Sequence, residues 1–218
     1  MQFRLGIVIL AAGASERYGA NKLISRHPSG CSLIRHTVQV CLPLCTFRSP
    51  VVVTGRWHDS LKTELCLAPC RLTYNVNWQQ GMGTSIAFGV NSLLINGGKP
   101  VDTSGEMNSP THILIVLGDL PLLSTDSLLA LTHTAQRHPH KIIASAWQQN
   151  VTVPAIFPAE AFPVLKSLNN DKGAGLYLKK VMAEKPDDIE LVAHAQAGVD
   201  IDKPSDWLFC DSAATGHV

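Results

Sequence analysis

Short, unbroken runs of apolar and β-branched residues alternate along this chain with segments of helical period, and that alternation limits the fold more than any other feature. Strand-sized runs occupy residues 5–10, 51–54, 72–75, 112–117, 142–147 and 153–157, with a late one at 199–201. Few of them alternate polar with apolar, so their strands should be covered on both faces. Between them Ile86, Ala87, Val90, Leu93 and Leu94 recur at i, i+1, i+4, i+7 and i+8, which gives one apolar helix face. Leu128, Leu129, Leu131 and Ala135 do much the same. A mainly parallel sheet between two helical layers satisfies both patterns, and a three-layer α/β/α, Rossmann-like domain is the expected architecture.

The rhythm sets the domain organisation. Residues 96–110 are rich in Gly, Ser, Pro and Asn and lack an apolar period. They read as a long surface loop, not a linker, because the α/β rhythm resumes at His112. One domain over residues 1–210 is expected, with a flexible tail at 211–218.

Charge excludes several function classes. Of 218 residues 45% are hydrophobic and 16% charged, with 18 Lys+Arg against 17 Asp+Glu and a net charge of +1. Neither disorder nor a nucleic-acid or acidic-membrane partner fits that balance. No apolar run reaches the roughly 18 to 20 residues of a spanning helix, so a soluble protein is expected. Residues 1–14 imitate a signal peptide, but the residues after them continue a chemical motif instead of starting a mature chain. The six cysteines form two C-x3-C pairs and no C-x2-C pair. They read as structural thiols of a reducing cytoplasm, buried in the case of Cys41 and Cys45, and not as a zinc site.

Ligands of doubly wound sheets bind outside the carboxyl ends of the strands. After the first strand come Leu10, Ala11, Ala12, Gly13, Ala14 and Ser15, then Arg17 and Lys22. The small residues let backbone N–H groups approach an anion, and two cations in one loop suit a triphosphate. The loop is neither a Walker A sequence nor a dinucleotide fingerprint. A second segment, residues 75–85, carries Asn75, Gly81 and Gly83, and Thr84 or Ser85 is placed to cap the following helix. A third ends the apolar run at 113–117 with Gly118 and Asp119. That carboxylate either caps the turn before Pro121 or is satisfied by a divalent cation. In the fourth, alternation puts Asp200 and Asp202 on one face of a short strand, and two separated carboxylates at strand ends can hold one Mg2+ that bridges phosphates.

Taken together these segments resemble one family. LAAGASERYGANKL at 10–23, GCSLIRH at 30–36, VVVTG at 51–55, NVNWQQGMGTSIAFGV at 75–90, LGDLPLL at 117–123, NNDKGA at 169–174 and DIDKPSDW at 200–207 are similar to the molybdenum cofactor cytidylyltransferases, within the NTP-transferase-like group. The resemblance implies CMP transfer from CTP to a molybdopterin cofactor, with release of pyrophosphate. It places the nucleotide on the backbone from Leu10 to Gly13, phosphates on Arg17 and Lys22, and Mg2+ on Asp119 and Asp202, with Asp200 as the neighbouring candidate. Thr54, Asn75, Gly81 and Ser85 fall on the base and ribose side, and Lys172 faces either the acceptor or solvent. A molybdoenzyme or its chaperone is an implied partner.

In one place the sequence departs from the family. Thr152-Val153-Pro154 stands where members often carry Gly-His-Pro. Three rival readings compete: a guanylyltransferase or a sugar- or polyol-phosphate nucleotidyltransferase, a non-catalytic cofactor-binding chaperone, and a nicotinamide-dependent oxidoreductase. Ala12, where guanylyl enzymes have Gly, opposes the first in its GMP form. The full set of Arg17, Lys22, Asp119 and Asp202 opposes the second, and the missing G-x-G-x-x-G opposes the third.

Overall fold

A computed structural model describes residues 2–96, 99–100, 109–170, 173–208 and 210. In chain order the elements are β1 (Leu5–Ala11), α1 (Leu33–Cys41), β2 (Val51–Thr54), α2 (His58–Glu64), β3 (Arg71–Tyr74), α3 (Met82–Leu94), β4 (Ile95–Asn96), β5 (Lys99–Pro100), β6 (His112–Leu117), α4 (Thr125–Arg137), β7 (Ile142–Trp147), β8 (Asn150–Pro158), α5 (Phe162–Ser167), α6 (Ala174–Glu184) and β9 (Ile189–Ala193). Seven strands form one sheet in the order β3-β2-β1-β6-β8-β7-β9. Only β8 runs antiparallel to its neighbours in it.

Burial on both faces explains the unbroken apolar runs of β1, β2 and β6, whereas β3, at one edge of the sheet, is half-buried or exposed throughout. Along β1, Ile7, Ile9 and Ala11 pack with Leu33 and Val38 of α1, Leu61 of α2 and Leu128 of α4. Val8 and Leu10 point the other way, to Ile86 and Val90 of α3, Leu165 of α5 and Leu178 of α6. The three-layer α/β/α architecture is therefore as the periodicity predicts. Helix α3 sits unusually close to the sheet, because a Cβ at Gly89 would lie 2.5 Å from Val8 and 2.6 Å from Val53.

Two expectations change. Residues 199–201 are not a strand; they come after the 3-10 turn Ala195–Gly198 in extended coil, held where Ile201 N–H donates to Asp119 O at 3.0 Å. The last strand is instead β9, whose sequence IELVA has no continuous apolar run, since only Ile189 is fully buried and the rest is half-buried or exposed beside β7. Much of the 96–110 segment and all of the 211–218 tail lie outside the described residues. At the start of that segment β4 and β5 pair, Asn96 opposite Lys99, where the sequence reads as loop throughout. Cys31, Cys41, Cys45, Cys66 and Cys70 are free thiols. Cys41 is buried as expected, Cys45 is only half-buried and Cys66 is exposed; burial pushes the Cys45 thiol up to about 11 and that of Cys41 further still. No helix among the described residues is long and apolar enough to cross a membrane.

Candidate active site

Between β3 and β6 the chain passes from one side of β1 to the other, so the strand order reverses between β1 and β6 and a crevice opens beyond their carboxyl ends. Gly118 N–H donates to Leu10 O at 2.9 Å and keeps the two strand ends side by side. Beyond Ala11 the chain forms a loop in which Ser15 (φ 56°) and Gly19 (φ 76°) are left-handed around the short turn Glu16–Tyr18. Trp57 Nε1 donates to Ala14 O at 3.0 Å, fastening the loop to the start of α2. Asn21 accepts Leu23 N–H at 3.2 Å and caps the turn Lys22–Ile24, which aims Lys22 into the crevice.

Four charged groups converge there. Lys22 Nζ lies 2.7 Å from Asp119 Oδ2 and 3.5 Å from Asp202 Oδ1, while Arg17 Nη2 lies 2.8 Å from Asp202 Oδ2. Lys22 and Asp119 are 12% and 19% exposed, whereas Arg17 is 70% exposed and holds Asp202 from the solvent side. Burial by itself would lower the Lys22 ammonium, but Asp119, with Asp202 and Asp200 behind it, outweighs that and holds it above its ordinary value. Partial burial and the charges of Asp119 and Asp202 push the Asp200 carboxyl up; it does not line the cavity. That cavity measures about 320 Å3 and is walled by Leu10, Ala11 and Gly13 as well as the charged groups. Ala12 is buried beneath it, and nothing lies within 4 Å of a Cβ built on Gly13, so this stretch of backbone is open to a ligand.

The donor set suits a hard divalent cation. Asp119 Oδ1 is buried and has no hydrogen-bond partner, and a second carboxylate, Asp202, shares the same ammonium. An unused carboxylate oxygen beside another carboxylate is what Mg2+ or Mn2+ takes. Among the described residues no group of three or more His, Cys, Asp or Glu is placed to hold a metal, so phosphate oxygens and water would complete the shell.

The residues expected on the base side are differently disposed. Thr54 is fully buried and donates to Thr73 O at 3.1 Å, with His58 Nδ1 2.7 Å from its hydroxyl. Asn75 spends its amide on Thr84 (3.2 Å) and Ser85 (3.0 Å) and its oxygen on Asn77 N–H (3.0 Å), and Ser85 is 3% exposed. Thr54 ties β2 to β3 and α2, Asn75 and Ser85 knit the end of β3 to α3, and none of the three lines the cavity. Gly81 takes φ 110° at the entrance of α3, a conformation that favours glycine. The expected Thr84 or Ser85 cap is not formed: α3 begins earlier, at Met82, so Thr84 falls in its first turn and donates to Gly81 O. Lys172 lies outside the described residues.

A family model described as the MobA-like NTP transferase domain matches residues 7–189. The chain belongs to this family. Purine catabolism protein PucB of Bacillus subtilis is 30% identical over 181 residues, 79% of each chain. Nicotine blue oxidoreductase of Paenarthrobacter nicotinovorans is 25% identical over 89% of this chain and 90% of its own. A probable molybdenum cofactor guanylyltransferase of Rhodopirellula baltica is 26% identical over 62% of this chain and 58% of its own. Among solved structures, a nucleotidyl transferase from Methanothermobacter has a TM-score of 0.73 at 19% identity, covering 96% of this chain and 97% of that one. A manganese complex of Rv0371C from Mycobacterium tuberculosis reaches 0.67 at 16% identity, covering 94% and 97%.

This MobA-like NTP transferase domain also carries features that periodicity does not flag. Across the loop from the charged cavity lies a second one of about 410 Å3, bordered by Glu16, Arg56, Trp57, Trp78 and Gln79. Gly55 is pressed between these parts: a Cβ there would stand 2.5 Å from Ala12 O and 2.7 Å from Trp78 Cβ. Isolated tryptophans in a chain with 6% aromatic residues are the only sequence signal for it.

Proposed function

We propose that this MobA-like NTP transferase moves CMP from CTP to the phosphate of a molybdopterin-type cofactor and releases pyrophosphate. The observation that carries the reading is the convergence of Arg17, Lys22, Asp119 and Asp202 on one cavity at the strand-order reversal. Paired as they are, the two cations and two carboxylates neutralise one another. A triphosphate would draw Lys22 and Arg17 to its oxygens and free Asp119 and Asp202 for Mg2+, which when bound supplies charge neutralisation at the α-phosphate and the leaving pyrophosphate. The chain's own part is positioning: Leu10, Ala11, Ala12 and Gly13 present the backbone to the nucleotide, and Lys22 fixes the phosphates against the acceptor. Thr54, Asn75, Gly81 and Ser85 shape the base side from beneath. The acceptor phosphate oxygen attacks the α-phosphorus, and its bond to the bridging oxygen breaks as pyrophosphate leaves.

The choice of CTP rests on the resemblance of residues 10–23, with Ala12 in place of a second glycine. The guanylyltransferase name of the Rhodopirellula relative favours GTP as the second reading, and the name of the Paenarthrobacter relative makes hydride transfer a third. The free thiols of Cys31, Cys41, Cys45, Cys66 and Cys70 accord with a cytoplasmic location, where a molybdoenzyme or its chaperone would receive the product.

Pyrophosphate release with each NTP, with and without molybdenum cofactor and Mg2+, tests the proposal. CTP-specific release that needs cofactor supports it; equal rates with CTP and GTP would sink the base assignment. No release with any NTP, or oxidation of NADH or NADPH instead, would remove the transferase reading.

A further inference from the structure

Four aromatic side chains to which the proposed reaction gives no part, Tyr18, His27, His36 and Trp207, join the segments that carry the charged groups. His27 and His36 stack with ring centroids 3.7 Å apart and planes 14° from parallel. His27 Nε2 lies 2.8 Å from Pro121 O, and His36 Nε2 lies 2.9 Å from Leu123 O. Both partners are carbonyls, which only accept, so each Nε2 carries a proton and donates it. Ser29 N–H donates to His27 Nδ1 at 3.0 Å, which fixes that tautomer.

What these imidazoles hold is the main chain just beyond Asp119. Residues 118–124, between β6 and α4, form neither helix nor strand, so their carbonyls need partners from elsewhere. The Thr37 hydroxyl, directed also at Leu33 O, reaches Gly118 O at 3.2 Å. Side chains from 27–37 thus meet the carbonyls of Gly118, Pro121 and Leu123, on both sides of Asp119. Trp207 presents an edge to His27 at 6.0 Å, and its Nε1–H donates to the Tyr18 hydroxyl at 3.2 Å. Tyr18 adjoins Arg17, and Trp207 lies just past the turn Pro204–Asp206, whose Asp206 carboxylate accepts Asp202 N–H at 2.8 Å. The cluster therefore links the segments of all four charged groups, while none of its members supplies charge to the cavity.

We propose that His27 and His36 are positioning residues that clasp the Asp119 segment and so set the Asp119 carboxylate against Asp202. The inference rests on the transferase reading, because it assigns these carboxylates to a divalent ion. Such a pair works only when held to within about 0.5 Å of its productive geometry, and an irregular segment does not hold itself.

The test compares variants of the full chain by titrating protein-bound Mn2+ in the presence of a saturating non-hydrolysable NTP analogue, read by electron paramagnetic resonance, and by pyrophosphate release. His27→Ala and His36→Ala are expected to weaken Mn2+ binding about tenfold or more and to lower kcat similarly. KM for the NTP should move by less than about twofold, since no group that touches phosphate is removed. His27→Gln and His36→Gln keep an N–H within reach of the carbonyls and should recover most of the loss. If the alanine variants do not fold, His27→Asn and His36→Asn, polar but one methylene too short, take their place against the glutamines. Folded Ala or Asn variants with wild-type Mn2+ binding overturn the clasp, as do Gln variants no better than Asn. Absence of Mn2+ binding by the wild type overturns it too. A wild type that binds Mn2+ but releases no pyrophosphate sinks the transferase reading alone, and the titration still decides the clasp.

Discussion

The ammonium of Lys22 stands 2.7 Å from the Asp119 carboxylate and 3.5 Å from that of Asp202, so one cation bridges two segments separated by 83 positions in the sequence, 119 and 202. The site's positive charge is thus balanced by its own carboxylates, and on the proposed reading a polyanionic substrate would take their place. A near-neutral chain, with 18 basic and 17 acidic residues, is thereby compatible with the polyanionic substrate proposed for it.

Asp119→Ala is expected to abolish turnover while the fold survives. Removing one preorganised charge of this kind lowers kcat by about 10²–10³. The fold should tolerate the change, because Lys22 keeps Asp202 as a partner and the buried, unpartnered Oδ1 disappears. Pyrophosphate release and a thermal melt measured on the same sample check it; substantial activity would remove Asp119 from the metal site.

Asn75→Ala should behave oppositely, losing stability before specificity. Its side chain satisfies Thr84, Ser85 and Asn77, and truncation leaves a buried hydroxyl and a backbone N–H without their partner, a cost of about 1–3 kcal/mol. A lowered urea midpoint with an unchanged ranking of NTPs is the expected result. A changed ranking with unchanged stability would put Asn75 against the base.

These two positions show what the sequence could and could not convey. Unbroken apolar runs are visible in the central strands because burial on both faces demands them, and six strands fall where runs are read, although β3, at one edge, is half-buried or exposed throughout. β9 escaped because an edge strand with half-exposed side chains needs no such run, and 199–201 misled because Val199 and Ile201 are apolar for another reason: Ile201 packs beneath Asp119. Charged residues at strand ends were legible as a group, since few charges sit beside apolar strands here. The direction of Asn75 was not, because a motif residue that braces a turn and one that touches a base have the same spacing. The His27–His36 stack joins α1 to a loop nearly ninety positions on and leaves no periodic trace.

Gly55→Ala should disable the site from outside it. The added methyl would stand 2.5 Å from Ala12 O and 2.7 Å from Trp78 Cβ, in a backbone conformation that does not itself exclude alanine. Overpacking of this sort costs about 1–3 kcal/mol, and here relief would come from moving the loop after β1, to which the proposed function gives the nucleotide. A raised KM for the NTP with a modest fall in melting temperature is expected. Wild-type kinetics would mean that the loop and Trp78 adjust without consequence.

Acid should destabilise the protein through His194. Its Nδ1 lies 2.8 Å from Ser145 Oγ, which donates its own hydrogen to Pro154 O at 2.6 Å, so Nδ1 is the donor and Nε2 is unprotonated. That Nε2 is buried without a partner, and burial holds the imidazole below its ordinary 6.5. The native state therefore binds fewer protons than the unfolded chain wherever the pH lies between the lowered value and 6.5. Stability is unaffected by His194 above that window and falls as the pH drops through it. His36 and His112, both lowered mainly by burial, act with the same sign. Urea midpoints taken from pH 7.5 to 5 should decline below about 6.5. His194→Asn, which keeps an N–H for Ser145 and cannot titrate, should flatten the decline. An equal slope in that variant would show that His194 plays no part in it.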